Sequence, residues 1–577
     1  MQKICKMCSK NFEVAEEDLN FYEKMKAPAP NYCPECRVAR RLCFRNERTL
    51  YKRTCSKSGK PIISLYPKNT PFPVYDQHIW WGDDWDALDY GQDYDSNKHF
   101  FEQFLELKNK VPRISLLNIT SVNSDYGNNV ENSKNCYLIF AAQKNEDCMY
   151  GRLLYRNRFV VDSDFVQDSE LCYGCIDCRK CYQCLFSENC ETSTDLYFCF
   201  NLRDCQNCIF STNLRHKNYH IFNKPVSKEE YENKKKEIFS SHSALKKAKE
   251  EFEKFKKEAI VKFAHQVKCN KAIGDYMYNC HNTLYAFDSE HSKNCKYIYD
   301  AESPIDSYDL NNTYYNPELN LDMMGTLKTY NAKHSVYAIY CSDIEYCDSI
   351  NNSDSCFGCI GLKKKKYCIL NKQYEKEEYE KLKEKITENM KKEGVYGDFF
   401  PSSISPFGYN ETLAQEYIPM TEKEAKEKGF NWQNQMTGTY GKETIKGKDM
   451  PETIEEVSED PPAPDQAGGR AGILKEILVC EDCKKNFRIT KSEFDFYKRM
   501  NIPLPHKDFE CRHKERMLKR NPRKLWHRKC MKEGCKNEFE TSYSPDRPEI
   551  SIVKPAISKK CIKNLTFVIK SYILSMY

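Results

Sequence analysis

The sequence lacks several features that would assign it to a common functional class. It has no run of about 18 apolar residues, so no membrane-spanning helix is predicted, and its first ten residues lack the apolar core of a secretory signal. It has only 21 Gly and 12 His, with no Gly-rich phosphate loop, no His-Glu-x-x-His and no Gly-x-Ser-x-Gly. We therefore expect a cytoplasmic, non-enzymatic protein with no small-molecule substrate.

Charge is also too balanced to identify a partner. The 577 residues include 90 Lys and Arg against 84 Asp and Glu, a net charge of +6. A nucleic acid would therefore have to be bound by a local basic patch. The abundant residue is cysteine, with 31 copies. An odd number of cysteines with many Cys-x2-Cys pairs, in a chain without a secretory signal, favours metal ligands over disulfides.

A duplicated module lies at the two ends of the chain. Residues 5–59 match residues 480–534 at a constant offset of 475. The first copy carries two Cys-x2-Cys knuckles, formed by Cys5, Cys8, Cys33 and Cys36. Two such knuckles supply the four soft ligands that zinc takes in a tetrahedral site. Four cysteines also close the coordination sphere, so we expect a structural zinc ion.

The second copy departs from this pattern at one position. It keeps Cys480, Cys483 and Cys511, but Asp508 replaces the equivalent of Cys33. His506 and Asp508 are both chemically suitable as the fourth ligand, and His513 is a weaker candidate because it would distort the knuckle. Of these, His506 is the favoured fourth ligand.

These knuckles resemble the probable zinc-ribbon domain of uncharacterised bacterial proteins. Cys5 to Arg41 carries the full motif, and Cys480 to Arg516 carries it with the Asp508 replacement. Two such modules around a Cys- and Tyr-rich centre are similar to a family of large uncharacterised proteins from small-genome bacterial lineages. The resemblance implies zinc and no particular activity.

The end of the chain suggests a degraded second zinc site. Cys530 and Cys535 look like half of a site, but only Cys561 follows them. One set of codons for residues 551–557, read one nucleotide earlier, encodes Tyr-Cys-Glu-Ala-Cys-Tyr, which contains a Cys-x2-Cys knuckle. We therefore hypothesise that residues after Ile550 result from a frameshift; an accidental match in an irregular tail is the alternative.

The centre of the chain repeats a short pattern. Five cysteines follow one another at intervals of nine, with apolar residues beside them and polar residues between: Cys172, Cys181, Cys190, Cys199 and Cys208. Short strands at a fixed period predict a β-solenoid, with two nine-residue sides per turn. The pattern is itself duplicated, since residues 219–231 recur as residues 367–379.

One segment of the centre allows other interpretations. Cys172, Cys175, Cys178, Cys181 and Cys184 are each separated by two residues. An iron–sulfur cluster or an extra zinc ion would use such a run, but the spacing differs from that of ferredoxins. Stacked structural thiols are the favoured interpretation.

Each terminal module continues into a basic segment with an aromatic residue nearby, which would suit phosphate contacts and base stacking. The candidate nucleic-acid-binding residues are Arg37, Arg40, Arg41, Arg45, Arg48 and Arg53 in the first copy, and Arg512, Arg516, Arg520, Arg523 and Arg528 in the second. The alternative is that these arginines pair with acidic residues elsewhere in the chain.

The predicted fold is multidomain and β-rich, with two terminal zinc-ribbon or treble-clef-like modules flanking a duplicated β-solenoid-like centre with helical hairpins. The predicted divisions are a zinc-ribbon module (1–90), a connecting segment with a helix (91–130), a first solenoid half (131–225), a helical hairpin (226–268), a second solenoid half (269–372), a helical and irregular segment (373–440), a flexible linker (441–474), a second zinc-ribbon module (475–550) and a tail (551–577).

We expect a zinc-binding protein that contacts RNA, DNA or a ribonucleoprotein through its basic segments. A scaffold that binds protein partners on its solenoid faces, with zinc modules as caps, is the alternative. An iron–sulfur or thiol redox protein is a third interpretation, and no interpretation involves a membrane.

Overall fold

A computed structural model describes residues 1–435, 437–445, 449–458 and 472–553. The protein is multidomain and β-rich, with several separate sheets. In this described part of the chain, no helix is both long enough and apolar enough to cross a bilayer.

The N-terminal module, residues 1–90, is built from short hairpins and short helices. The second helix begins at Pro34 because Cys33 is extended and proline fits the first helical position. A helix of the connecting segment and a short strand follow. The elements are β1 (Gln2–Ile4), β2 (Asn11–Glu13), α1 (Glu16–Lys24), α2 (Pro34–Leu42), β3 (Tyr51–Thr54), β4 (Pro61–Ser64), β5 (Val74–Tyr75), α3 (Gln77–Trp81), a 3-10 helix (Ala87–Tyr90), α4 (Phe100–Lys110) and β6 (Arg113–Ile114).

Residues 118–225 form a parallel coil of short strands, here called the first stack. Met149 lies beside Tyr137 on one side and Val161 on the other, so successive turns are twelve residues apart. The strands are β7 (Asn118–Ile119), β8 (Asn128–Glu131), β9 (Tyr137–Gln143), β10 (Met149–Tyr155), β11 (Arg158–Val161), β12 (Asp164–Gln167), β13 (Glu170–Tyr173), β14 (Ile176–Arg179), β15 (Thr194–Phe200), β16 (Gln206–Thr212), β17 (Asn218–Ile221) and β18 (Lys224–Pro225).

A three-residue pattern generates these twelve-residue turns. Every third residue through the centre of the stack has positive φ, as at Asp162, Phe165 and Asp168. Another residue in each triplet is buried inside the coil, as at Val166 and Cys172. Each turn therefore has four sides of three residues, and the predicted arrangement of two nine-residue sides is wrong. Cysteines nine apart all point inward because nine is also a multiple of three.

Residues 266–373 form a second stack of the same kind. Most of its turns also advance by twelve residues, but Gln266 pairs with Met277 across one residue fewer and Tyr308 pairs with Leu321 across one residue more. Both stacks end in a reversed strand, after Asn223 and Asn371, which have positive φ. The strands are β19 (Ile260–Lys262), outside the stack, then β20 (Gln266–Val267), β21 (Asn270–Tyr278), β22 (His281–Glu290), β23 (Lys293–Glu302), β24 (Tyr308–Thr313), β25 (Glu318–Met324), β26 (Tyr330–Lys333), β27 (Ser342–Glu345), β28 (Asp354–Phe357), β29 (Lys366–Ile369) and β30 (Lys372–Gln373).

Helices follow each stack. After the first stack come α5 (Lys228–Phe239) and α6 (His242–Lys256). Ser227 and Glu230 form a capping box at the start of α5. The apolar residues of α6 pack inside the molecule, since Phe252 lies against Phe198 and Phe210. The elements after the second stack are α7 (Lys376–Lys392), 3-10 helices (Ser402–Ile404 and Tyr409–Glu411), α8 (Leu413–Tyr417) and α9 (Glu422–Glu427).

The C-terminal module repeats the N-terminal one and is joined through a packed segment. Ile445, Met450, Ile454 and Ile473, in the region predicted as a flexible linker, are buried. Residues 446–448 and 459–471 of that linker, and residues 554–577 of the predicted frameshifted tail, lie outside the described residues. The elements are β31 (Leu478–Val479), β32 (Asn486–Phe487), α10 (Lys491–Met500), α11 (Phe509–Lys519), β33 (Trp526–Lys529), β34 (Glu538–Thr541) and β35 (Ile550–Ile552), which pairs with β19.

Candidate metal centres and arginine contacts

The four cysteines of the N-terminal module converge on one point. One sulfur from each of Cys5, Cys8, Cys33 and Cys36 lies within 4.8 Å of the others, and the Cys8 and Cys33 sulfurs are 3.7 Å apart. The first knuckle is tight because Ser9, with positive φ, donates its N–H to the carbonyl of Cys5. A hydrogen bond from Cys36 lowers the pKa of Cys33 to about 5, and that bond raises the pKa of Cys36. This arrangement could hold a metal ion.

A second group of ligand atoms forms in the C-terminal module. Cys480, Cys483, Asp508 and Cys511 also lie within 4.8 Å of one another. Cys483 donates to Asp508 Oδ2 at 2.8 Å. The other carboxylate oxygen of Asp508 accepts the N–H groups of Glu510 and Cys511, so Asp508 caps α11. Burial acts to raise the pKa of Asp508, but the hydrogen bonds from Cys483, the Cys511 N–H and Cys480 together outweigh it, so that pKa is lowered.

The prediction that His506 completes this site is corrected by the geometry. The His506 ring stacks on His242, with ring centroids 3.5 Å apart, and its Nδ1 lies 2.9 Å from Glu481 Oε1. His513, the weaker candidate, lies between Asp164 and Glu416. Asp508 is placed with the cysteines because it occupies the N-cap position that Cys33 holds in the first copy.

The other cysteines that were candidates for metal binding do not form comparable groups. In the described part of the chain, Cys530 and Cys535 belong to no set of three ligand atoms within 4.8 Å. The same holds for the run from Cys172 to Cys184. Those five sulfurs point into the first stack and donate to backbone carbonyls two residues back or nine residues ahead, as Cys178 does to Ile176 and Ser187. This hydrogen bonding is that of structural thiols.

The basic segment of the first module faces the second stack. Arg37 Nε lies 2.9 Å from Asp309, and Arg41 contacts Asp309 and Asp322 at 3.1 and 2.5 Å. Arg40 donates to the carbonyls of Phe399 and Phe400, Arg45 pairs with Glu47, Arg48 pairs with Glu510, and Arg53 donates to the Pro67 carbonyl.

The basic segment of the second module faces the first stack in the same way. Arg512 Nε lies 2.9 Å from Asp162, and Arg516 contacts Asp162 and Asp164. Arg512 is the equivalent of Arg37, and Asp162 matches Asp309 in the duplicated centre. Further along the segment, Arg520 pairs with Asp177 and Asp288, Arg523 with Asp288 and Asp300, and Arg528 donates to the Tyr543 and Ser544 carbonyls.

The eleven arginines predicted to bind nucleic acid therefore contact other parts of the protein. Eight of them are buried, and Arg48, Arg523 and Arg528 are half-buried. Eight of them pair with carboxylates inside the molecule, and Arg40, Arg53 and Arg528 donate to backbone carbonyls, so the eleven do not form one exposed basic surface. The sequence did not identify the aspartates that pair with them, although the internal duplication places Asp162 and Asp309 at matching positions.

Between the facing sides of the two stacks lies a cleft with a volume of about 800 Å³. Gln143, Tyr155 and Gln167 line one wall, and Glu302, Tyr314 and Leu327 line the other. Arg179 reaches across to Glu290 at 2.6 Å, and Tyr315 reaches across to Gln143 at 2.8 Å. The sequence contains a signal for this face, because its residues recur at twelve-residue intervals.

No protein-family model matches the chain, and no curated protein matches it either.

Proposed function

We propose that the protein is a non-enzymatic, zinc-stabilised scaffold. In this proposal the terminal modules are zinc ribbons, the two stacks are β-solenoids, and the exposed stack faces bind a protein partner. The observation that carries it is the pair of matching contacts, Arg37 with Asp309 and Arg512 with Asp162. The modules use their arginines to hold the stacks, and this leaves the stacks as the surface available to a partner.

Zinc suits both groups of ligand atoms. Four cysteine sulfurs, or three with one carboxylate oxygen, match the soft donors and the coordination number of structural zinc. Both groups lie on a short hairpin and the first turn of a helix, α2 or α11, so a metal ion would join elements that share only a small core.

Two exposed tyrosines support the scaffold interpretation over nucleic-acid binding. Tyr182 is 44% exposed on the first stack, and Tyr330, at the matching position of the second, is 48% exposed. The preceding turn carries Glu170 beside Tyr182 and Glu318 beside Tyr330. Exposed aromatic residues of this kind are typical of protein contact sites, and here both copies of the duplicated centre kept them.

Metal analysis of the purified chain tests the zinc part of the proposal. We expect two zinc ions per chain, one lost on replacing Cys8 by Ser and the other on replacing Cys483 by Ser. Cys178→Ser, inside the first stack, serves as the control and should leave both ions in place. Iron, or a zinc content unchanged by both knuckle variants, would contradict the proposal.

Reconstitution with purified components tests the scaffold part. Proteins that co-purify with the chain after nuclease treatment are identified, produced separately and mixed with it. Replacing Tyr182 and Tyr330 by Ala should weaken binding while leaving zinc content unchanged. Salt-sensitive binding to a labelled RNA, with no effect of the tyrosine variants on any partner, would favour the nucleic-acid interpretation instead.

A further inference from the structure

The cleft between the stacks contains a buried polar atom, Asn312 Oδ1, that has no partner among the described residues. Asn312 is only 1% exposed and lines the cleft. Its Nδ2 donates to Asp300 Oδ2 at 3.3 Å, which fixes the orientation of the amide because a carboxylate only accepts. Asn312 Oδ1 accepts no hydrogen bond from the described residues, and the buried hydroxyl of Tyr314 has no well-aligned hydrogen bond there, although it interacts with the Tyr155 hydroxyl. Leaving such groups unpaired is costly, so they point to a ligand that donates to them.

Donors lie beside these acceptors. The guanidinium of Arg45 lines the cleft and is bound to Glu47 through Nε. Gly325 faces it with φ of +66°, and a Cβ there would come within 2.9 Å of Arg45 Nη1 and 3.1 Å of the Tyr337 ring. A residue larger than glycine at position 325 would therefore fill the space beside Arg45 and Tyr337. A ligand here would meet donor, acceptor and aromatic groups within one site.

The composition of the cleft narrows the class of ligand. Six cationic and seven acidic side chains line it, so it lacks the positive charge that a nucleic acid requires. The strands of each stack pair from turn to turn, so the cleft has no free strand edge along which a peptide could add. Twelve aromatic and nine amide side chains make up much of the rest.

We infer that this cleft binds a neutral oligosaccharide, extended between the two stacks. Sugar hydroxyls both donate and accept hydrogen bonds. They can therefore donate to Asn312 Oδ1 and accept from the guanidinium of Arg45. Tyrosine rings can pack on the C–H faces of sugars, and the planar amide, carboxylate and guanidinium groups of the walls can bind neighbouring hydroxyls in pairs. The volume of about 800 Å³ falls within the range of ligand sites.

The test uses the full chain with four probes, maltohexaose, cellohexaose, chitohexaose and xylohexaose, and measures binding by calorimetry. At least one should bind. Tyr314→Phe removes a hydroxyl that has no well-aligned hydrogen bond among the described residues, so the thermal midpoint should change little while affinity falls by about tenfold, the value of one hydrogen bond. Tyr340→Phe, which alters an exposed tyrosine outside the cleft, should change neither.

A second pair of variants separates ligand binding from folding. Asn312→Gly removes the acceptor and keeps a backbone with positive φ. Asn331→Gly is the matched control, because Asn331 also has positive φ and donates to an aspartate, Asp343, outside the cleft. Only Asn312→Gly should lower affinity. The inference is overturned if no probe binds, if a peptide or RNA binds at this site instead, or if binding survives both cleft variants unchanged.

Discussion

The position shared by Cys33 and Asp508 shows how one residue can serve both a helix and a metal. Both lie in extended conformation immediately before a helix, α2 or α11. Asp508 also caps its helix, whereas Cys33 provides no side-chain cap. Because aspartate is among the best N-cap residues, aspartate in place of cysteine strengthens the N-terminus of the helix. It also replaces a soft sulfur ligand of the metal with a harder oxygen ligand.

Asp508→Cys should therefore change two properties in opposite directions. Zinc should be retained at least about tenfold better in competition with a chelator, because a fourth thiolate replaces a harder oxygen. The metal-free protein should lose about 1 kcal/mol of stability with the cap. Asp495→Cys, on the exposed side of α10, supplies a thiol outside the site. It should change neither zinc retention nor the stability of the metal-free protein. Equal zinc retention in the two variants would contradict the assignment of Asp508.

A buried lysine makes stability depend on pH. Lys108 on α4 is enclosed, with its Nζ bound to the Ile404 carbonyl, and burial lowers its pKa to about 7. Between pH 7 and 10 the unfolded chain binds this proton and the folded chain does not, so the group makes stability rise with pH. Each pKa unit is worth about 1.4 kcal/mol.

Lys108→Met should remove this dependence. The variant should be more stable than the natural protein below pH 7, and the difference should shrink as pH rises to 10. Urea unfolding at a series of pH values measures it. Lys98→Met, which loses only a surface pair with Glu106, should track the natural protein at every pH. A constant advantage of Lys108→Met across this range would show that the lysine is charged in the folded state.

At the scale of elements, the stacks show what periodicity can and cannot reveal. The nine-residue spacing correctly indicated short repeated strands with inward cysteines, because any multiple of three returns to the interior. It could not show whether one turn takes nine or twelve residues, because not every inward position carries a cysteine. Ser187 and Leu196, for example, also point inward. The metal knuckles were predictable because their ligands are local. The aspartates that pair with the arginines were not predictable, since each lies more than 200 residues away in sequence, as Asp309 does from Arg37.

Deleting part of the first stack should distinguish the two periods directly. Removing 182–193 takes out one whole turn, and every later residue should keep its side of the coil. Removing 182–190 leaves later residues inward but shifts them by one side, which misplaces α5 and α6. Both deletions lose Glu188 and its pair with Lys256, so they are matched. Cooperative thermal unfolding should survive only the first; the opposite result would contradict a twelve-residue turn.

The arginine contacts should behave as buried ion pairs. Arg516→Met leaves Asp162 and Asp164 buried with fewer partners, and should cost about 3–5 kcal/mol in the free energy of unfolding. Arg156→Met breaks a pair with Asp168 that is largely exposed, and should cost about 1 kcal/mol or less. Denaturant unfolding compares them. Similar losses in both variants would mean that Arg516 does not hold the module.

At the scale of the whole molecule, the modules and stacks are connected crosswise. The N-terminal module contacts the second stack, through Arg37 with Asp309 and Lys296 with Asp18. The C-terminal module contacts the first stack, through Arg512 with Asp162 and the Tyr150 hydroxyl with Glu493. Each module also contacts the stack in its own half, through Glu47 with Arg152 and through Arg520 and Arg523 with Asp288, so the crosswise pairs belong to a larger set of contacts that joins the two halves.

Cutting the chain after Lys257 should leave the halves bound to each other. Residues 1–257 and 258–577, produced together, should elute as a one-to-one complex, and high salt should not separate them because buried pairs are weakly screened. The double variant Arg37→Met and Arg512→Met should weaken the complex. Separate elution of the unmodified halves would contradict the crosswise arrangement.

The crosswise contacts also bear on how such a chain could arise. A shorter protein with one module and one stack would have a basic helix with no acidic stack of its own to hold, and an acidic stack with no helix. Two copies of it could satisfy each other by exchange, in a closed dimer with the cleft on its symmetry axis. The present chain contains contacts of this kind within one polypeptide, in the order module, stack, stack, module, and its two modules are free to diverge, as Asp508 has done from Cys33.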